Sequence, residues 1–314
     1  MTTAHVHPLV SPCPVIDRHL ALRVEILGIA NLICGISIYA KERVMAGITP
    51  EPNYYGRQLQ RELKRLREDN RLTQEEAGER VRIEFKKLSR IERRQLPTYH
   101  ELVMLLDAYG VLSCDYGPYL ELWELARQRA WWRDFHLEDT RYVRMEDEAD
   151  VKYEFQLGHI PTLLQTEEYA RATLSINKRT VKKLTDLRMR QQERLCTEPQ
   201  LTLHALIHEP VLRQGVNRAQ REALIDRAEL PNVTIQVVPQ RNILHEGLHG
   251  SVVLLSFDDP NEPDAAFSES LVGLQDTQDL ERTATIRRAL DHVSQLAMSP
   301  EDTLLLLKTP RFGH

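Results

Sequence analysis

The segment between residues 72 and 94 constrains the fold more than any other part of the chain. It opens with Leu-Thr-Gln-Glu-Glu, in which Thr73 is a natural N-cap and Glu76, three residues later, completes a capping box. An Ala-Gly pair follows, and such small side chains allow another helix to cross closely. That second helix is predicted from Glu84 to Arg93. A capped short helix, a close crossing and another helix are typical of a helix-turn-helix.

Apolar residues recur with helical spacing on both sides of this segment. In the preceding helix they are Leu59, Leu63 and Leu66, and in the following helix Leu102, Leu105, Leu106 and Tyr109. Asn70 and Arg71 end the preceding helix. In the helix between, Leu88 and Ile91 are expected to face the core. Residues 55–112 are therefore predicted to form an all-α domain.

Positive charge is concentrated in and around the second helix of this motif. The fifteen residues from Arg80 to Arg94 carry seven basic and two acidic side chains, a net charge of +5. The chain of 314 residues carries −5, which excludes a uniformly basic coat but not a local basic patch. A basic helix placed after a capped turn is suited to the phosphates of DNA. The alternative is a solvated basic face. The preceding helix is also basic on its outer face, through Arg57, Arg61, Lys64, Arg65 and Arg67.

The run LTQEEAGERVRIEFKKLSRIERR, residues 72–94, resembles the helix-turn-helix of XRE-type (lambda-repressor-like) regulators, which reads close to LTQEELAERLGVSxSxLSRIERG. By position, the resemblance implies that Gln74 contacts a phosphate at a helix N-terminus. It implies that the second helix faces the major groove with Phe85, Lys86, Ser89 and Arg90. Of these, Lys86 and Arg90 can donate to guanine O6 and N7. The complete set of predicted DNA-binding residues is Gln74, Phe85, Lys86, Lys87, Ser89, Arg90, Arg93 and Arg94.

Three residues depart from the usual XRE-type run. Arg82 replaces the turn glycine and is expected to adopt a less comfortable backbone conformation. Glu84 replaces the serine cap, where it is expected to cap weakly and to lie unfavourably close to phosphate. Arg94 replaces the final glycine. Glu92 matches the family pattern and is interpreted as structural.

The middle of the chain is predicted to join two domains. Residues 113–145 are expected to form a connecting helix, with a long helical stretch that ends near Phe135. Its apolar positions are Leu120, Trp123, Leu125, Trp131 and Trp132. They are interpreted as a core stripe that docks the first domain on the next. An acidic linker, MEDEAD, follows at residues 145–150.

Residues 146–314 read as an α+β domain. Strands are predicted at residues 201–207, 233–238 and 251–257, and helices at 218–229, 277–296 and 300–307. The last helix has a clear start, with Ser299 as N-cap and proline at its first position. Asp258 and Asp259 lie beside a proline in a turn-rich loop and are expected to be solvated.

The run HIPTLLQTEEYARATL, residues 159–174, resembles the PGLLQTxxYAR hallmark of a C-terminal domain carried by actinobacterial XRE-type regulators of the WhiJ-like or antitoxin-like group. Thr162 stands in place of the usual glycine, and His208 in place of an aspartate. Further matching runs are RMRQQERL, HEPVLRQ, LPNVTIQVVP and HGSVVLLSF, so the resemblance covers residues 56–305. It implies pairing with a small protein encoded by a neighbouring gene.

Together these patterns predict a multidomain, cytoplasmic and nucleoid-associated transcriptional regulator of double-stranded DNA, with neither enzymatic activity nor a cofactor. Its α+β domain is expected to serve dimerisation and the sensing of a signal or partner. A homodimer is expected because one short recognition helix reads too few base pairs for useful specificity. The alternative is an antitoxin-like protein whose main role is to bind the small partner, with DNA binding as autoregulation.

A zinc hydrolase is the least favoured alternative. His245, Glu246 and His249 match the H-E-x-x-H pattern of zinc peptidases, in which both histidines project from one helical face. Here neighbouring glycines and flanking strands indicate a loop, where the histidines do not share a face. His204 and His208 do share a face on a predicted strand, which requires no metal.

The first 54 residues are predicted to form a poorly ordered extension. Their apolar stretch, residues 26–40, is shorter than the roughly 20 residues that a membrane-spanning helix needs, so no membrane partner is expected. Translation is hypothesised to start at Met45. The four cysteines show no C-x-x-C spacing and are interpreted as free thiols.

Overall fold

The structure is a computed structural model that describes most of the chain from residue 52 onward. The described residues are 52–137, 139–174, 178–240, 244–270 and 273–309. The apolar stretch at residues 26–40, Met45 and nearly all of the predicted N-terminal extension lie outside them. None of the helices in the described ranges combines the length and the apolar character that crossing a bilayer requires.

Five helices form the first domain. They are α1 Tyr54–Asp69, α2 Gln74–Val81, α3 Phe85–Ile91, α4 Tyr99–Ala108 and α5 Gly117–Arg127. Three of these helices, α1, α2 and α4, have a side-chain N-cap. The capping residues are Asn53, Thr73 and Thr98, and each accepts a hydrogen bond from a backbone N–H in the first turn. The predicted apolar stripes of α1, α3 and α4 meet in one core, in which Leu59, Leu88 and Leu102 are fully buried. This confirms the all-α domain and adds α5 to it.

The predicted connecting helix over residues 113–145 is divided in the structure. A 3-10 turn, Ser113–Asp115, precedes α5, and a second 3-10 turn, Trp131–Phe135, follows it. The break falls at Gln128, which adopts an extended backbone conformation and ends α5. The predicted tryptophan stripe is divided as well. Trp123 packs in the core of the first domain, whereas Trp132 packs in the core of the second.

The predicted acidic linker at residues 145–150 is wrong. Residues Arg141–Glu148 form helix α6, and Met145 and Glu146 on it are buried. The run of acidic residues suggested an exposed linker, but Glu146 has a buried partner. The Nζ of Lys152 lies 2.7 Å from Glu146 Oε1. A buried carboxylate is tolerated where it is paired and hydrogen-bonded.

The second domain is built on a mixed sheet, as the α+β prediction required. In spatial order the strands run β3-β2-β1-β4-β5-β6. Their bounds are β1 Val151–Gln156, β2 Thr202–His208, β3 Val233–Val238, β4 Val252–Ser256, β5 Ala265–Ser270 and β6 Gly273–Thr277. Strands β1, β2 and β3 pair in parallel, and β1, β4, β5 and β6 pair antiparallel. The predictions for β2, β3 and β4 are confirmed to within a residue at each end, while β1, β5 and β6 were not predicted.

Helices cover both faces of this sheet. Besides α6 they are α7 Glu167–Thr173, α8 Lys178–Gln191, α9 Arg218–Ala228, α10 Leu280–Leu296 and α11 Pro300–Lys308. Tyr153 and Phe155 of β1 pack with Leu290 and Val293 of α10 on one face. The larger core lies on the other face and includes apolar side chains of α8, α9 and α11. The Ser299 cap of the last helix is confirmed.

Strand β1 carries charge into the centre of the sheet. Lys152 is fully buried, and its Nζ lies 2.7 Å from Glu146 Oε1 and 3.2 Å from Glu154 Oε1. Tyr142 donates its hydroxyl to the same Glu146 oxygen at 2.7 Å. The ammonium is thereby compensated by two carboxylates that are themselves buried. This pairing explains how a strand with charged residues at alternate positions occupies the middle of the sheet.

Helix α1 joins the first domain to the second through two arginines. Arg57 donates to Glu148 at 3.1 Å and to Glu262 at 2.9 Å. Arg61 donates to the other Glu262 oxygen and to Asp259, each at 2.5 Å. The three carboxylate side chains are 4–7% exposed. We call these five residues the interdomain clamp.

An aromatic contact lies beside the interdomain clamp. The ring of Tyr54 stacks on Phe257 with centroids 5.8 Å apart, and the Tyr54 hydroxyl accepts from the backbone N–H of Asp259 at 3.1 Å.

Asp259 is buried, so the expectation that it is solvated is wrong. Burial acts to raise the pKa of Asp259, but hydrogen bonds from Asn261 and Arg61 outweigh it and lower the pKa.

We predict that Arg61→Ala destabilises the protein by about 2 kcal/mol, because it leaves Asp259 and one Glu262 oxygen buried without their cation. The value is reduced from that of a fully buried pair since Arg61 is 30% exposed. Thermal unfolding and limited proteolysis of the segment after α5 measure the effect. Lys64→Ala is the control, because Lys64 is exposed and pairs only loosely with Glu68 at 3.9 Å. Equal effects of the two substitutions would contradict the clamp.

Candidate nucleic-acid interface

Helix α2 begins with the predicted capping box. Thr73 Oγ1 accepts from the N–H of Glu76 at 3.1 Å, and Glu76 Oε2 accepts from the N–H of Thr73 at 2.8 Å. The backbone hydrogen bond from Thr73 lowers the pKa of Glu76, followed by the bond from the Thr73 hydroxyl. Two otherwise unpaired N–H groups are thereby satisfied, and the start of α2 is fixed.

The turn between α2 and α3 depends on Gly78. A Cβ at this position would lie 2.5 Å from the carbonyl oxygen of Ile83. The N–H of Ile83 donates to the Gly78 carbonyl at 2.8 Å, so the chain returns directly over this residue. The close approach at Gly78 is made by the backbone of the turn and the first residue of α3, whereas the Ala-Gly pair had predicted the close crossing of another helix.

Two departures from the usual run have visible structural effects. Arg82 ends α2 in the left-handed region, with φ 54° and ψ 36°, as its place at a glycine position predicted. Glu84 is the N-cap residue of α3 but makes no capping hydrogen bond through its side chain. The expected weak cap is therefore absent, and the carboxylate is left exposed at the start of the helix.

Helix α3 has one buried and one exposed face. Leu88 and Ile91 are fully buried, as predicted. Phe85 is 47% exposed, Lys86 and Arg90 are exposed, and Ser89 is half-buried. The structure thus brings the four predicted groove-facing residues to the surface side of one short helix, although Ser89 is partly covered.

Four cations on or directly after α3 form what we call the α3 basic face. They are Lys86, Arg90, Arg93 and Arg94. All four are exposed, and none of them forms an ion pair with another residue in the described part of the chain. This contrasts with Arg57 and Arg61, whose charges are compensated by carboxylates in the interdomain clamp. The α3 basic face is therefore one uncompensated cationic surface of this motif, and Arg80 and Arg82, which are also exposed and form no ion pair among the described residues, add to the positive charge beside it.

Lys87 differs from its neighbours because it turns towards α4. Its ammonium pairs with the carboxylate of Glu101, and the side chain is about a third exposed. Burial acts to raise the pKa of Glu101, but hydrogen bonds from Lys87 and Thr98 outweigh it and lower the pKa. Part of the Lys87 charge is thereby neutralised within the domain, and its predicted role in binding phosphate remains a prediction.

Gln74, the predicted phosphate contact, is held by a buried carboxylate. Its Nε2 donates to Glu92 Oε2 at 2.6 Å. Glu92 also accepts from Arg67 through Nε at 2.6 Å and Nη2 at 3.1 Å. Arg67 is buried, so its predicted place on the basic outer face of α1 is wrong. The interpretation of Glu92 as structural is confirmed, since it joins α1, the start of α2 and the end of α3.

The H-E-x-x-H match lies on a 3-10 turn, Glu246–His249, instead of a regular helix. Glu246 pairs with His292 of α10 at 2.8 Å. The ring of His245 packs edge-on against Phe155, with centroids 5.7 Å apart. No three His, Cys, Asp or Glu side chains within the described ranges are arranged to hold a metal.

The other residues that the sequence singled out have ordinary surroundings. His204 stacks on Tyr153 with centroids 4.4 Å apart, and burial lowers the pKa of His204. His208 lies on the same strand, β2, so the predicted strand placement of both histidines is confirmed. Cys114 and Cys196 are exposed free thiols.

The sequence pattern did not identify the carboxylates of the interdomain clamp. Glu148 was assigned to a linker, Asp259 to a solvated loop, and Glu262 was not singled out. Their partners on α1 are about 90 to 200 residues away in the chain. One sequence feature could have indicated the clamp: Arg57 and Arg61 lie one turn apart on α1. This spacing suits an acidic partner surface, but it does not identify the residues that form that surface.

The helical geometry is that of a helix-turn-helix, and its second helix carries the α3 basic face. Consistent with this, residues 58–115 match a family described as a helix-turn-helix domain, which supports a DNA-binding regulator. Residues 139–309, more than half of the chain, match a family described as a domain of unknown function (DUF5753). The chain belongs to this family. Neither the curated proteins nor the solved structures include a significant match.

We predict that Arg82→Gly stabilises the protein by about 0.5 kcal/mol, because glycine adopts a left-handed conformation without the cost that a Cβ imposes. The measurement is the midpoint of thermal or urea unfolding. Arg80→Gly is the matched control: it makes the same chemical change within α2 and is expected to destabilise by about 1 kcal/mol. A loss of stability for both variants would show that Arg82 is not strained.

Proposed function

We propose that this chain is a sequence-specific, XRE-type transcriptional regulator that inserts α3 into the major groove of double-stranded DNA. The observation that supports this most directly is the α3 basic face, four exposed cations without carboxylate partners in the described chain. Lys86 and Arg90 are like charges four residues apart on one helix and therefore repel each other. Phosphates would compensate them and release counterions.

The geometry suggests how the roles are divided. Lys86 and Arg90 lie one turn apart on the exposed side of α3, where they can donate to guanine O6 and N7. Arg93 and Arg94 follow the end of α3, and we assign them contacts with the phosphate backbone. At the start of α2 the capping box satisfies the N–H groups of Thr73 and Glu76, which leaves those of Gln74 and Glu75 for the phosphate contact that we propose near Gln74.

We further propose that the protein acts as a homodimer. Helix α3 has only seven residues, so one copy reads a short half-site. Two copies on a palindromic operator would double the contact surface and supply the specificity that one lacks. The DUF5753 domain is proposed to provide dimerisation and the sensing of a signal or partner, in a cytoplasmic, nucleoid-associated protein of the WhiJ-like group without enzymatic activity.

Selection of bound sequences from a random duplex library tests the proposal directly. The parent protein is expected to enrich a defined motif. We predict that Arg90→Ala then weakens binding to that motif by about 1–3 kcal/mol and relaxes the preference at one base pair. Arg65→Ala is the control, because Arg65 lies on α1 and pairs with Glu62 and Asp69. Binding by Arg90→Ala that equals the parent's would contradict this orientation of α3.

We predict that Arg93→Ala and Lys87→Ala both weaken binding to all duplexes alike, Lys87→Ala by the smaller amount, because Glu101 already neutralises part of the Lys87 charge. Each lost phosphate contact should reduce the salt dependence of binding by about 0.9 log units per log unit of salt. Titrations at several salt concentrations measure this slope. A larger loss for Lys87 than for Arg93 would show that the Glu101 pair opens on binding.

An antitoxin-like role is the second candidate. The observation that favours it is the set of exposed leucines on the second domain, Leu244, Leu280 and Leu305, which are 88%, 72% and 66% exposed. Such side chains could contact a small partner protein encoded by a neighbouring gene. Co-purification from the native host distinguishes the two roles. Partner capture that survives Lys86→Ala with Arg90→Ala, with no transcriptional change beyond the protein's own promoter, would favour the antitoxin-like role.

A further inference from the structure

Phe85 is an aromatic side chain placed where the proposed DNA contact begins. It is the first residue of α3, and 47% of it is exposed. The apolar residues of α3 that build the core, Leu88 and Ile91, are fully buried. Phe85 is therefore not accounted for by the packing of the domain in the way that these two residues are.

The surroundings of Phe85 restrict what it can contact. Lys86 follows it directly, and Ser89 lies one turn further along the same helix. Glu84 precedes it with an exposed carboxylate that makes no capping bond. A carboxylate is repelled by phosphate, so this end of α3 is better suited to base edges than to the backbone of DNA.

The apolar phenyl ring of Phe85 limits which base it can recognise in the major groove. A phenyl group neither donates nor accepts a hydrogen bond, so it cannot read the polar groups of guanine, adenine or cytosine. The major groove offers one apolar group, the C5 methyl of thymine. Recognition helices make their base contacts mainly through their N-terminal residues, which is the position of Phe85.

We propose that Phe85 is a specificity-determining residue that contacts the C5 methyl group of a thymine in each half-site. This inference rests on the proposed DNA-binding function and adds a base identity to it. The contact would lie next to the base pair read by Lys86, so the half-site would combine a thymine with a nearby guanine. Burial of one methyl group is worth about 0.8 kcal/mol, which corresponds to about a fourfold change in affinity.

The test uses the full-length protein and the duplex that the random library selects. Each thymine of that duplex is replaced in turn by deoxyuridine, which removes only the methyl group. The parent is expected to lose about fourfold in affinity at one thymine of each half-site. Phe85→Ala is expected to bind the thymine and uracil duplexes equally, whereas Phe85→Leu keeps an apolar side chain and part of the discrimination.

Lys86→Ala is the matched control on the adjacent residue: it is expected to weaken binding and yet retain the preference for thymine over uracil. Circular dichroism and thermal unfolding verify that each variant is folded. If Phe85→Ala does not fold, the parent's uracil series and Phe85→Leu still decide the matter.

Two results would overturn the assignment of Phe85 while leaving the DNA-binding function intact. One is a parent that binds its selected duplex but is indifferent to uracil at every position. The other is a folded Phe85→Ala variant that retains the preference for thymine. Failure of the parent to select any sequence would instead overturn the proposed function, and this assignment with it.

Discussion

Helix α1 is held at both ends by arginine–carboxylate pairs, and the placement of helix α3 depends on them. Near its start, Arg57 and Arg61 reach the carboxylates of the second domain. Near its end, Arg67 bonds to Glu92 directly after α3. Both sets of carboxylates are almost completely buried, so breaking either pair would leave charge in a poorly solvated place. One helix thereby connects the sheet domain with α3.

The same pairs divide the basic residues of the first domain into two groups. Arg57, Arg61 and Arg67 are compensated inside the molecule, and their charge is not available to a ligand. Lys86 and Arg90 have no such partners among the described residues and remain at the surface. A chain with a net charge of −5 can therefore present a cationic surface, because most of its acidic groups lie outside α3 or pair with other basic residues, although Glu84 is exposed at the start of α3.

Local sequence patterns correctly predicted those elements that depend on interactions between neighbouring residues. The capping box at Thr73, the apolar spacing of α1 and α4, and the β-branched runs of β2 and β3 were all predicted from neighbouring residues. Strand β1 was not predicted, because Lys152 and Glu154 interrupt its apolar pattern and are compensated only in the folded core. The clamp was missed for a related reason. Its carboxylates lie about 90 to 200 residues from α1 in the chain and meet it only in the tertiary structure, so short-range periodicity does not reveal the pairing.

Because α1 packs in the first domain and pairs with the second, it also bears on the distance between the two DNA half-sites of a dimer. If α3 reads DNA as proposed and two copies associate through their sheet domains, α1 would link that geometry to the α3 of each copy. The separation of the two half-sites would then be measured in whole turns of the double helix, about 10.5 base pairs each. Insertion of five base pairs between the half-sites would place the second on the opposite side of the duplex, beyond the reach of the second copy, whereas insertion of a full turn would restore its phase.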